Sequence, residues 1–544
     1  MLNLVSGSRR RATSSASAHS NRSSDENNGN GDDDTLVVEP DQGNVLMHII
    51  SQLRPGADLS RVVLPTFILE PRSMLERITN FMCHPEMLLP IPQIEDPTER
   101  FVSVVKFYLS GWHIRPPGVK KPLNPILGEV FSCYWDFSDN SRAYYISEQT
   151  SHHPPKSSYF YMVPEHNIRV DGTLKPRSRF LGNSAASLME GTAILSLLNR
   201  GKDGKPERYI LTQPNMYARG ILFGKMKYEL GDHSFVRCPE LGLTADIEFK
   251  TKGWVGGTYN AIGGTVKNEA TGEVLYELSG LWSEEMTIKN VKTGQKDMFF
   301  NALKAKPSPP QVRPIEEQEA RESQRLWQRT ARAVKERNHE LATDEKTKVE
   351  DMQREEAAAR AQDGVEWTPR LFRRVHGGPG GSEEGEEDLE WIINAEIDGE
   401  TVEAQEDQIL AIYPVLPGQT SKRDSIIPPI PAHKSLDTPP TTSAGAAAGG
   451  AGAAAAAAPA AKSGDLIDFG DDEASKPAAA APAGSIAPVA DQGSSQISEL
   501  LSSTGKPAPA GPLMDFNKDL DKNLPTIKRS DTSGSQDIFH DAEN

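Results

Sequence analysis

Between residues 126 and 300, short runs rich in Tyr, Phe, Ile, Val and Thr recur between Gly, Asp and Asn punctuation. This stretch restricts the fold more than any other. The runs are Val130–Phe137, Ala143–Gln149, Tyr159–Val163, Ile168–Val170, Thr192–Leu198, Tyr209–Thr212, Lys225–Leu230, Thr244–Lys250, Gly257–Val266, Val274–Leu281 and Glu285–Ile288. Strands this closely spaced join as antiparallel neighbours, and a sheet this large must close or stack to remove its edges. The expectation is a β-rich antiparallel barrel wide enough to hold a ligand.

Helical patterns flank the strands. Val45, Leu46, Ile49, Ile50 and Leu53 share one helix side, ending at Arg54-Pro55-Gly56. Periodicity alone fits a core helix or a flap. Pro71–His84 reads as a helix on Met74, Leu75, Ile78, Phe81 and Met82. Asp96 as N-cap, Pro97 at the first position and the stripe Phe101, Val104, Val105, Tyr108 and Leu109 define a further helix ending at Gly111. Residues 315–361 return to helix, closed by Gly364 and Pro369.

Composition sets the boundaries. The first 34 residues have almost no large apolar side chains and are expected to be disordered. A barrel domain is expected over 35–376, with a lid at about 45–64 and a late helical part at about 315–376. The tail, 377–544, is acidic and then Ala/Pro-rich, and is expected to be mostly disordered, although Glu390–Gln419 has enough apolar residues for a short docked element. From Gly377 onward there are 10 Lys+Arg against 28 Asp+Glu, a balance of −18 in a chain of net charge −17. The acidity thus belongs to the tail. No contiguous basic face suggests nucleic-acid binding. Cys83, Cys133 and Cys238 are too few and too scattered for a disulfide framework or a structural metal. With no secretory signal and no run of about 18 apolar residues, a cytoplasmic protein touching membranes peripherally is expected.

Three groups carry chemistry. In Glu148-Gln149-Thr150-Ser151-His152-His153-Pro154-Pro155 the prolines hold the backbone extended, so two imidazoles are presented from a stiff turn. That suits holding an anion, and a purely structural pair fits equally. A metal would need further ligands that the spacing does not supply, and no Gly-x-Ser-x-Gly elbow or other nucleophile suggests an enzyme. In Lys120-Lys121-Pro122-Leu123-Asn124-Pro125, two prolines let Lys121 and Asn124 be aimed from a rigid loop, or simply leave a solvated one. Lys346, Glu350 and Arg354 follow i, i+4, i+8 spacing, as a surface ion-pair ladder or as an anion site would. Gly220–Lys225 resembles a phosphate loop only superficially, because Met226 replaces the Ser or Thr such a loop needs.

Glu148–Pro155 resembles the signature of the oxysterol-binding-protein-related lipid-transfer family, and the likeness continues through Lys120–Glu129, Leu275–Trp282 and Val312–Arg374. Leu64–Glu70, Arg72–Asn80 and Arg179–Ser184 are most similar to its short fungal members, which exchange phosphatidylserine for phosphatidylinositol 4-phosphate. The resemblance implies a nearly closed antiparallel β-barrel with flanking helices, enclosing a lipid tunnel under an N-terminal amphipathic lid. It also implies a phosphoinositide site of Lys121, Asn124, His152, His153, Lys346, Glu350 and Arg354. Phosphatidylserine would meet Leu64, Lys121, Asn124 and Ser178. No cofactor is implied. Transfer of sterol against phosphatidylinositol 4-phosphate, or a lipid-sensing scaffold, is the alternative. Contacts between endoplasmic reticulum and plasma membrane are the implied location. Asp537–Glu543 and Asp465–Gly470 are candidate tail motifs for docking a protein tether.

Overall fold

The computed structural model describes residues 35–37, 48–375 apart from short breaks, and 389–420. The expectations for residues 1–34, for Val45 and Leu46, and for the Ala-rich and docking motifs of the tail lie outside the described residues.

The strands are β1 (Thr35–Val37), β2 (Leu69–Ser73), β3 (Lys121–Leu123), β4 (Val130–Asp136), β5 (Arg142–Ser151), β6 (Lys156–Val163), β7 (Ile168–Leu174), β8 (Pro176–Phe180), β9 (Ser184–Met189), β10 (Thr192–Lys202), β11 (Lys205–Leu211), β12 (Asn215–Arg219), β13 (Lys225–Cys238), β14 (Leu243–Lys250), β15 (Ala261–Asn268), β16 (Val274–Leu281), β17 (Glu285–Asn290), β18 (Lys296–Asn301), β19 (Phe372–Arg374) and β20 (Trp391–Ile393). Sixteen form one sheet, whose main path runs β18-β17-β16-β15-β14-β13-β11-β10-β7-β6-β5-β4. β13 is the branch point. Its last residues pair with β11 and β14, while Lys227–Gly231 pairs with β12, which continues to β9 and β8. The free edge of β4 is taken up by later chain: Tyr134 and Gln311 exchange backbone hydrogen bonds, and the Val130 N–H donates to the Arg321 carbonyl. Its ladder groups are therefore not left open to another chain.

Both faces of β4–β6 are covered, which explains why these runs look continuously apolar. Phe131, Cys133, Trp135, Tyr145, Tyr159 and Tyr161 point inward into the main core, where Tyr145 Oη donates to the Leu75 carbonyl at 3.2 Å and helix α2 (Pro97–Ser110) packs in from the β14 and β18 side. That helix starts as expected, with the Asp96 carboxylate accepting from Glu99 N at 2.8 Å. It buries Phe101, Val104, Val105 and Leu109 completely. On the outer face, Val130, Tyr134, Tyr144, Ile146, Phe160 and Met162 pack against Leu371, Phe372, Trp391, Ile393, Ile409, Ile412 and Tyr413.

Three sequence expectations are corrected. The helix over Pro71–His84 is instead the end of β2, one α turn (α1, Met74–Arg77) and a 3₁₀ helix (Ile78–Met82). Leu75, Ile78 and Phe81 recur every three residues, a spacing that a 3₁₀ helix satisfies as well as an α-helix. The helix over 315–361 is broken into α3 (Ser323–Leu326), α4 (Gln328–Lys335) and α5 (His339–Asp363). The break falls where Arg337 adopts φ of 56° and Asn338 caps the next helix. Finally, the body does not stop at 376. β20 pairs with β19, and α6 (Val402–Ile412) helps seal the outer face of β4–β6.

Candidate functional site

Residues 48–51 make a helical turn, and the chain then lies along β8. Gly56 N donates to the Phe180 carbonyl at 2.7 Å, and Phe180 N to the Ala57 carbonyl at 2.9 Å. Ile50 and Leu59 pack with Phe67, Phe180, Ile221 and Met226. This is the segment expected to act as a lid, and Ile49, Ile50, Leu53 and Leu59 roof a cavity of about 310 Å³. The rest of its wall is mainly apolar, including Leu69, Ile78, Phe81, Trp112, Leu174, Met189, Met216 and Leu230.

Six sequence-predicted residues reach this one cavity: Leu64, Lys121, Asn124, Ser178, Lys346 and Glu350. Lys121 opens β3, which runs parallel to β2 with Leu69 opposite Lys121 and Ser73 opposite Leu123. The neighbouring Lys120 is tied to the Phe67 carbonyl at 2.6 Å, so the two lysines diverge. Lys346 and Glu350, one turn apart on α5, form an ion pair of 2.5 Å. Burial lowers the Lys121 ammonium below its ordinary value, and the like charge of Lys346 lowers it further, against Asp58 and Glu350. Two cations thus face one another inside a largely apolar wall, an arrangement that an anionic group would relieve.

His152 and His153 sit in the β5–β6 turn, their rings 4.5 Å apart and edge to face. They line a second cavity of about 650 Å³ with Lys156, Gln353, Trp367, Arg373, Arg374 and Trp391. Gln353 of α5 separates the two groups of predicted residues. Its carbonyl oxygen accepts from Leu127 N at 2.9 Å, which turns its amide nitrogen toward His152 Nε2 at 2.6 Å. That nitrogen therefore accepts, the proton lies on Nδ1, and the ring is neutral. Burial, then the adjacent His153, hold His152 down at about 4, with the Pro125 carbonyl opposing. Arg354 departs from the expected grouping. Its side chain is 54% exposed and pairs with Asp351 at 2.5 Å, reaching Glu350 only at 3.8 Å.

Three residues that hold the site went unassigned in the sequence. Gln353 is one. Glu148, within the octapeptide, accepts from the backbone N–H groups of Arg370 and Leu371, each at 2.7 Å, and so clamps the start of the outer cover. Glu129 is fully buried and accepts from Ile126 N at 3.1 Å, Ser323 Oγ at 2.7 Å, Trp327 Nε1 at 2.9 Å and Ser73 Oγ. It thereby joins the end of β2, the chain just after the Lys121–Asn124 loop, and α3. Among the described residues no helix is long and apolar enough to cross a membrane.

Known proteins resemble this chain in sequence and in fold. The oxysterol-binding protein family matches residues 48–334 and 330–403. Oxysterol-binding protein homolog 6 of Saccharomyces cerevisiae is 52% identical over 397 residues, 72% of this chain and 86% of its own length. The oxysterol-binding protein-like protein OBPa of Candida albicans is 54% identical over 394 residues, 72% of this chain and 89% of its own. In architecture, the Osh1 ORD domain solved in complex with ergosterol superposes with a TM-score of 0.55 at 24% identity. That match covers 67% of this chain and 89% of that domain. The barrel-like sheet, the roofed apolar cavity and these matches agree, and the chain belongs to the oxysterol-binding protein family of lipid-binding and lipid-transfer proteins.

Proposed function

We propose that this protein carries one phospholipid at a time between membranes, exchanging phosphatidylserine for phosphatidylinositol 4-phosphate. The observation that carries the reading is the cavity itself: an apolar wall under residues 48–59, with Lys121, Asn124, Lys346 and Glu350 brought to it. Acyl chains supply most of the holding energy at about 0.8 kcal/mol per buried methylene. They also require a closed wall during transit. A phosphomonoester adds more than one negative charge. Charge-assisted hydrogen bonds of about 1.5–3 kcal/mol each from Lys121 and Lys346 offset its desolvation. His152 and His153 border the neighbouring cavity across Gln353, and a phosphoinositide head group larger than serine extends toward them. Because the acyl chains compete for one cavity, the two lipids exclude each other. The relatives' sequence identity supports this subgroup assignment, and a peripheral role at contacts between endoplasmic reticulum and plasma membrane follows from it.

The test is to incubate the full chain with mixed-lipid liposomes and identify co-purified lipid by mass spectrometry, beside the His152→Ala/His153→Ala variant. Wild type carrying both lipids, and the variant retaining phosphatidylserine alone, is the expected result. Recovery of sterol in place of phosphatidylserine, or of both lipids on one molecule, would overturn the exchange reading.

A further inference from the structure

The cavity wall backs onto a group of side chains that lipid binding does not use. Cys83 and His84 follow the 3₁₀ helix Ile78–Met82, and His113 lies just beyond the end of α2. The two segments touch because Gly111 has no side chain: a Cβ there would stand 3.3 Å from Phe81 Cα. The result is that Cys83 Sγ and a ring nitrogen from each histidine all lie within 4.8 Å of one another. Cys83 and His84 are buried, and His113 is half-buried. The two imidazoles stack with centroids 5.1 Å apart, their Nε2 atoms 2.8 Å apart. Phe300 closes one side, edge-on to His84 at 5.5 Å. Glu86, held by Ser308 Oγ at 2.5 Å, contributes negative charge nearby.

We propose that Cys83, His84 and His113 form a binding site for a thiophilic divalent cation of the Zn²⁺ class. A thiolate and two neutral imidazoles are the donor set that such an ion selects, and three protein ligands leave a fourth position for water. A hydrogen bond between the histidines accounts for their contact but gives no reason for a third ligand atom within the same radius. With bonds to nitrogen of about 2.0–2.1 Å in tetrahedral geometry, the two Nε2 atoms would stand about 3.4 Å apart. The rings must therefore separate by roughly half an ångström, a shift that falls to His113, the less buried of the two. Ligation is by the thiolate, so the bound ion takes the place of the Cys83 proton. Sequence spacing misses this site because His113 comes 29 residues after His84.

The experiment uses the untagged full chain, stripped with chelator and dialysed against Zn²⁺, with Co²⁺ as the optical probe. Expected are one equivalent of Zn²⁺ per chain and a thiolate-to-Co²⁺ charge-transfer band. Cys83→Ser should abolish the band, and His113→Gln should weaken Zn²⁺ binding at least about tenfold. His233→Asn, at an exposed histidine outside the cluster, should change neither. Should Cys83→Ser fail to fold, the half-buried His113→Gln carries the test alone, with circular dichroism confirming its fold. Uptake below a tenth of an equivalent, or binding that survives His113→Gln, overturns the proposal.

Discussion

Replacing Glu148 by Gln should make this protein more stable at pH 8 while changing it little at pH 5. The carboxyl lies on the outer face of β5, under the cover formed by Leu371 and Phe372, and is fully buried. Burial raises it to about 7 from an ordinary 4.5, against the opposing pull of the Arg370 and Leu371 N–H groups. A carboxyl whose folded value lies above its unfolded one binds its proton more tightly in the native state. Stability is then greatest below about 4.5 and falls as pH rises through the window to 7. At about 1.4 kcal/mol per pH unit, that window represents roughly 3 kcal/mol. Glutamine is isosteric with the protonated form and does not titrate, so it removes the slope. Urea unfolding followed by tryptophan fluorescence at pH 5, 6, 7 and 8 reads the difference directly. Wild type and variant should agree within about 1 kcal/mol at pH 5, with the variant ahead by up to about 3 kcal/mol at pH 8. If wild type instead gains on the variant as pH rises, the two N–H bonds outweigh burial, and the direction argued here is wrong.

Further outcomes are expected elsewhere. Lys346→Ala should weaken phosphatidylinositol 4-phosphate extraction from liposomes by about 10- to 100-fold, the loss of one charge-assisted contact, and leave phosphatidylserine within about threefold. Arg100→Met strands the Glu207 carboxylate, which Arg100 now holds through two bonds of 2.7 Å, and should cost about 3–5 kcal/mol in urea unfolding. Ile50→Asp breaks the apolar contact with Phe180, Ile221 and Met226 and should speed release of a fluorescent lipid by about 10-fold or more.

The parts of the site that were legible in the sequence are those written locally. Pro122 and Pro125 announce a stiff loop, and Lys121 and Asn124 both reach the cavity. The prolines after His153 announce a fixed turn. Arg354 shows the limit of the same reasoning: eight residues at 3.6 per turn rotate a side chain by about 80° from Lys346. That rotation sends it toward Asp351 and solvent. Glu129 and Gln353 had no local signal at all, because their partners lie up to 198 and 226 residues away.

Three of the strands missed by the sequence reading follow a single rule. β8, β9 and β12 show no clear apolar alternation: Arg177 and Arg179 face solvent, and β9 is largely Ser and Ala. Ser178, Ala185, Ala186, Ser187 and Ala218 from these strands line the cavity, beside the larger Phe180, Met189 and Met216. A strand facing packed core must carry large apolar side chains to fill it at interior density. One that lines a lipid cavity can carry small ones as well, because the ligand supplies the missing volume. The same residues that weaken the strand signal therefore mark where the cavity lies. Enlarging them tests that reading: Ala186→Leu should leave the sheet intact and reduce lipid uptake, since it fills the space the acyl chains need, and an unchanged uptake would place the chains elsewhere.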